Sequence, residues 1–162
     1  MICDYCKRKV DEELDEIILD GLEDFYVLNV CSNCYEILND YFEPEYIDKI
    51  MGIWLESTIY AHKFISKEYW NENYNIVKDV YIPISKTFIY EDNDDIRGFI
   101  SIINNDFIGA LFVEKNYQSQ GIGKSLIDYA KNLYDNLSLA VYKENEKALE
   151  FYKKMGFKII SE

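Results

Sequence analysis

Positive charge is scarce in this sequence. Its 17 Lys and Arg face 30 Asp and Glu, a net charge of −13. That balance argues against a nucleic-acid backbone as the main partner and suits a cationic one, such as an amine. Proline is nearly absent, with only Pro44 and Pro83, and no Pro/Gly-rich linker or internal repeat interrupts the chain. No apolar run approaches the roughly 18 residues needed to span a bilayer. The N-terminus lacks a basic stretch followed by an apolar one, so no signal peptide is expected. Together these absences predict a soluble cytoplasmic protein, without a membrane partner. One histidine, His62, stands in the whole chain, which limits imidazole chemistry to a single place.

What is present is unevenly distributed. Residues 1–42 hold 3 basic and 11 acidic residues, and all four cysteines fall in the first 34 residues. This divides the chain into a small module, 1–42, and a larger domain, 43–162. Cys3-x-x-Cys6 and Cys31-x-x-Cys34 form two C-x-x-C pairs, each able to wrap a tight turn around one tetrahedral ion. A segment of about 40 residues has too little core to fold unaided, and a reducing compartment favours metal over disulfides. The prediction is structural Zn²⁺ held by Cys3, Cys6, Cys31 and Cys34, with iron or a redox dithiol as the alternatives. Four thiolates leave no open coordination position, so the site is not catalytic. Phe25–Val30 reads as a strand running into the second pair, and Ile37, Leu38, Tyr41 and Phe42 have helical spacing. The module resembles a zinc ribbon or treble clef.

In the larger domain, Pro44 opens a helical series through Ile47, Ile50, Met51, Trp54 and Leu55. A second helix is expected from Lys67 to about Val80. Thr87–Glu91, Gly98–Ile103 and Phe107–Val113 then read as three antiparallel strands, separated by the turn sequences Asp92–Asp95 and Asn104–Asp106. A helix after Gly121, a strand at Leu137–Tyr142, a helix over Asn145–Met155 stopped by Gly156, and a last strand at Phe157–Ile160 complete an α/β (α+β) domain around one mixed sheet.

The segment Gln118-Ser119-Gln120-Gly121-Ile122-Gly123-Lys124-Ser125 joins a strand to a helix. Its glycines allow close backbone approach, and the helix start offers unpaired amides and a favourable dipole, so the loop suits a phosphate or pyrophosphate. A Walker A loop would need glycine at position 118, where Gln stands. The dinucleotide fingerprint would need glycine at position 126, where Leu stands. What remains is Q/R-x-x-G-x-G/A, met by Gln118, Gly121 and Gly123.

With Ala110–Val113 before this loop and Asn145–Phe157 after it, residues 43–160 resemble the GNAT superfamily of N-acetyltransferases. The stretches Ile53–Ser57 and His62–Ile65 are similar to a subgroup of small bacterial enzymes, the YiaC/YjaB type, associated with acetylating protein lysines. The resemblance implies acetyl-CoA as co-substrate and an amine acceptor, either a small molecule or a protein lysine. It implies that backbone groups of Leu111, Phe112 and Val113 pair with the pantetheine arm. Gln118 begins the loop whose amides, from Ser119 through Gln120, Gly121, Ile122 and Gly123 to Lys124, would hold the pyrophosphate. Asn145 would sit beside the cofactor, and Tyr152 would face the sulfur as catalytic acid.

These residue types suit acetyl transfer. A lysine ammonium, with a pKa near about 10.4, must lose a proton before it can attack a thioester. The departing thiolate needs one, which a phenol can supply. The base is less determined: Glu114 and Glu91 are candidates, and His62, in the loop between the first two helices, is either a hydrogen-bonded structural residue or a substrate contact. A complete superfamily domain also carries a strand before its first helix and one after Phe157–Ile160. The first would fall at Glu36–Phe42, and the last is missing here. Its absence predicts an exposed edge that a second copy would cover in a homodimer, or else an incomplete domain. Such a domain would leave a CoA-binding or zinc-finger adaptor protein instead of an enzyme.

Overall fold

The computed structural model describes residues 15–19, 26–30 and 44–161. The four cysteines, the segment Glu36–Phe42 and the helix expected after Cys34 lie outside the described residues. Of the N-terminal module, the described part is a two-stranded antiparallel ladder. Strand β1 (Asp15–Leu19) pairs with β2 (Tyr26–Val30), with Ile17 opposite Leu28. Of the strand expected at Phe25–Val30, the described residues Tyr26–Val30 are formed.

Helix α1 (Pro44–Ala61) starts at its proline, whose missing N–H costs nothing in a first turn. Its inward face carries Ile50, Met51, Ile53, Trp54 and Thr58, all buried. The second helical region is longer than its spacing suggested. After α2 (Lys67–Glu72), capped by the Ser66 hydroxyl, helical turns continue through α3 (Tyr74–Ile76) and a π-helical stretch, Val77–Tyr81, to α4 (Ile82–Ile84). Pro83 explains the irregularity: it has no N–H to give, and the wider i→i−5 bond from Ile82 to Val77 accommodates the proline without ending the rod.

Strands β3 (Lys86–Asp92), β4 (Asp95–Ile103) and β5 (Phe107–Val113) form an antiparallel sheet in the order β3-β4-β5. The first turn places Asn93 and Asp94 at positive φ, and the second does so with Asn104 and Asn105. Asn and Asp tolerate this conformation best among residues with a side chain. Strand β4 is buried on both faces. Phe99 joins Trp54, Trp70 and Ile82 beneath α1, while Ile100 and Ile102 join the opposite core under α5 (Ile122–Leu133). Helix α5 buries Ile122, Leu126, Ile127 and Ala130, each large aliphatic side chain contributing about 1.5–3 kcal/mol.

Two expected strands are not formed. Leu137–Tyr142 makes one parallel bridge, Ser138 opposite Phe107, and then diverges. Phe157–Ile160 follows α6 (Glu146–Lys154) as extended chain without a ladder. Ile160 stays 90% exposed. Apolar β-branched residues raise strand tendency, but a strand exists only where another backbone lies alongside to pair with it. The architecture is an α/β fold in which helices cover both faces of an antiparallel sheet.

Candidate active site

Strand β5 is bonded to β4 along one side. On its other side only its beginning is held: Ile108 N–H donates to the Ser138 carbonyl at 2.8 Å, and Ser138 N–H donates to the Asp106 carbonyl at 2.7 Å. Beyond that point the two segments splay apart. Between them lies a cavity of about 320 Å³ that reaches Leu111 and Phe112 on one wall and Leu139–Tyr142 on the other. The failure of Leu137–Tyr142 to form a full strand is thus what opens the site. At the end of β5 the Val113 carbonyl already accepts from Ser57 Oγ at 3.4 Å and Gln118 Nε2 at 3.1 Å.

That second bond braces the glycine loop against the strand. After a single 3₁₀ turn, Lys115–Tyr117, the chain passes through Ser119 at φ 63° and Gly121 at φ 88° before α5 begins at Ile122. Gln118, Ser119, Gln120, Gly121 and Lys124 are exposed, Ile122 is buried and Gly123 is half-buried. The two glycines serve different ends. A Cβ on Gly121 would meet nothing within 4 Å, so this residue meets the left-handed φ requirement beside open space. A Cβ on Gly123 would lie 3.3 Å from the Phe151 ring, so its size is set by α5–α6 packing. The Lys124 ammonium is tied to Asp128 one turn along, and the unpaired amides and dipole of a helix start favour negative charge.

Of the polar side chains that line the cavity, His62 follows α1, while Asn145 and Tyr152 come from α6. Asn145 caps α6: its Oδ1 accepts from Ala148 N–H at 3.2 Å. This fixes the amide so that Nδ2 faces His62 Nε2, 3.3 Å away. His62 follows α1, and its Nδ1 lies 2.9 Å from the Thr58 carbonyl. A carbonyl only accepts, so Nδ1 carries the proton and Nε2 holds a lone pair. The ring is 9% exposed and packs among Phe64, Trp70 and Tyr142. Burial lowers its pKa despite the opposing bond to Thr58. Tyr152, on the inner face of α6, packs against Phe151 and Phe157. Burial pushes its hydroxyl up to about 12, so it stays protonated at neutral pH.

The candidate carboxylates lie elsewhere. Glu114 is 3.0 Å from Arg97 Nη1 and 3.8 Å from Lys49 Nζ, and Glu91 is exposed near the end of β3. Neither borders the cavity, and among the described residues its lining contains no charged side chain. Arg97 also stacks on Tyr117, 4.1 Å from the ring centre, just before the glycine loop. Helical spacing marks Tyr69 and Trp70 as one side of the second helix, but gives no site role to them, to Tyr142 or to Arg97. That they border or flank the cavity depends on segments distant along the chain.

Residues 48–162 match the family model described as an acetyltransferase (GNAT) domain. The chain belongs to the GNAT acetyltransferase family. It is 36% identical over 111 residues, 68% of this chain and 76% of the relative, to the peptidyl-lysine N-acetyltransferase YiaC of Escherichia coli. It is 34% identical over 113 residues to the peptidyl-lysine N-acetyltransferase YjaB of Salmonella typhimurium, covering 69% and 77%. The solution structure of apo YjaB from Escherichia coli superposes with a TM-score of 0.64 at 29% identity, over 72% of this chain and 79% of that one. A PaiA N-acetyltransferase from Thermoplasma acidophilum, crystallised with coenzyme A, shares the fold with a TM-score of 0.65 at 22% identity. The GNAT match covers the sheet, the splay and the glycine loop, and it begins after the cysteine-bearing module. Among the described residues, no helix is long and apolar enough to cross a membrane.

Proposed function

We propose that this GNAT protein transfers the acetyl group of acetyl-CoA to a primary amine, with a protein lysine as the acceptor. One observation carries the reading: a splayed strand pair opens a cavity, free of charged side chains among the described residues, that holds a partly buried, protonated phenol. The two relatives named as peptidyl-lysine N-acetyltransferases support the choice of acceptor.

The residues fit acetyl-CoA. Open space stands over Gly121, the adjacent helix start offers amides, and the gap beside β5 leaves room for an extended arm. In this reading, amides of Ser119 to Lys124 hold the pyrophosphate, and backbone groups of Leu111–Val113 meet the pantetheine. Donation from Ser57 and Gln118 already engages the Val113 carbonyl, so Leu111 and Phe112 carry more of that contact. Asn145 shapes the cofactor's side of the cavity while capping α6. Tyr152 donates toward the sulfur. Its raised pKa sets a limit: full transfer to a thiolate of ordinary basicity, near about 8.5, would be roughly 5 kcal/mol uphill. Burial raises the proton affinity of a thiolate by the same mechanism and narrows the gap. Thiol release from acetyl-CoA, measured across lysine peptides and small amines, tests the assignment. Release with lysine peptides is expected. CoA binding without release for any acceptor would instead identify a binding module.

Cys3, Cys6, Cys31 and Cys34 are assigned one structural zinc ion. The β1–β2 ladder ends at Val30, and Cys31 follows it in sequence, a placement in keeping with a small metal-stapled module. Elemental analysis of purified full-length protein should find one zinc per chain. A folded, zinc-free protein would remove the assignment.

A further inference from the structure

An amine acceptor brings a proton that must go somewhere, and among the described residues no carboxylate borders the cavity. Of the described lining residues, one is basic near neutral pH, the imidazole of His62. Three features prepare it. The Thr58 carbonyl holds the proton on Nδ1, leaving the lone pair on Nε2. Asn145 is the polar partner of Nε2, at a long 3.3 Å, so an incoming donor replaces a weak contact. Finally, His62 and Tyr152 line one cavity.

We infer that His62 Nε2 is the proton acceptor for the amine, with Tyr152, which lines the same chamber, as proton donor. The inference rests on the acetyltransferase reading above. The steps balance. The acceptor ammonium gives one proton to Nε2, and the neutral nitrogen forms a bond to the thioester carbonyl carbon. The C–S bond breaks, the thiolate gains a proton by way of the Tyr152 hydroxyl, and Tyr152 is reprotonated by the second proton of the amine. His62 then releases its proton to solvent. Charged and titratable groups around the ring leave this assignment intact. Tyr69 and Tyr142 share the cavity wall, Tyr152 stands on α6, and Lys63, Glu144 and Glu146, flanking His62 or Asn145 in sequence, are exposed. Burial moves the two partners in opposite directions, His62 down and Tyr152 up. At pH 7 one is a base and the other an acid, the arrangement a base–acid pair requires.

The chain's single histidine makes the test direct. Full-length protein, freed of any histidine tag, gives one imidazole NMR titration, with a pKa below the ordinary 6.5. The acid limb of kcat/KM for a lysine peptide should fall at that same pH, activity being lost as the pH drops through it. His62→Gln should bind acetyl-CoA as before, lower kcat/KM roughly a hundredfold at pH 7, and lose the acid limb. If that variant does not fold, replacing the histidine by 2-fluorohistidine keeps the ring's shape while removing most of its basicity, and should abolish the same limb. An active wild type whose profile survives either change overturns the role of His62 alone. A wild type that releases no thiol with any amine overturns the acetyltransferase reading, and this inference with it.

Discussion

Tyr152→Phe should lower turnover at least tenfold while leaving acetyl-CoA affinity nearly unchanged. The substitution keeps the ring that packs against Phe151 and Phe157 and removes only the hydroxyl. A loss confined to kcat is the signature of an interaction made in the transition state, and general-acid groups typically contribute about 10²–10⁴-fold. A second measurement separates the hydroxyl from packing. Burial raises the Tyr152 pKa from 10.0 to about 12. The unfolded chain therefore gives up this proton near pH 10, before the folded protein does. Stability is unaffected below pH 10 and falls as pH rises from there toward 12, by roughly 3 kcal/mol in total. Tyr152→Phe should lack that part of the alkaline loss. Unchanged turnover in a variant that does show the flattened alkaline profile would sink the catalytic assignment while leaving the burial intact.

Gly121→Val should weaken acetyl-CoA binding by about a hundredfold, measured by calorimetry, and also lower the melting temperature. Two effects combine. Gly121 stands at φ 88°, where a β-branched residue is strained by about 1–3 kcal/mol. The space a side chain would enter is also open, so the side chain would occupy the volume proposed for the pyrophosphate. Strain alone lowers stability, whereas occupation of that space lowers affinity further. A folded variant with lowered stability and unchanged acetyl-CoA affinity would show that the loop is merely structural. The neighbouring Gly123 gives the contrast: its Cβ would strike Phe151 at 3.3 Å, so substitution there disturbs α5–α6 packing first.

Much of the domain is written locally. Pro44, the Asn and Asp turn residues at 93–94 and 104–105, Gly121 at the start of α5 and Gly156 after α6 each act within a few residues. Their effects are steric or concern backbone hydrogen bonds, so they are legible before any fold is known. The glycine loop was recognisable for the same reason, and with its flanking segments it pointed to the GNAT family. The lengths of the helices between Lys67 and Ile84 were less so, because a π-helical stretch absorbs Pro83.

The tertiary structure decided the rest. Leu137–Tyr142 and Phe157–Ile160 have strand composition, yet neither forms a ladder, because pairing requires a second backbone and composition cannot supply one. Glu114 read as a plausible base, but folding gives it Arg97 and Lys49 as partners away from the cavity. His62 and Asn145 stand 83 residues apart in sequence, and only the packing of the α1 end against the α6 start brings them within 3.3 Å. The sequence alone determined the strand meander, the helix boundaries set by caps and glycines, and the family with its cofactor class, since these depend on neighbours along the chain. The cavity, the lack of charge among its described lining residues and the gathering of a lone-pair imidazole and a protonated phenol in its lining depend on burial and on contacts between distant segments, which only the folded chain supplies.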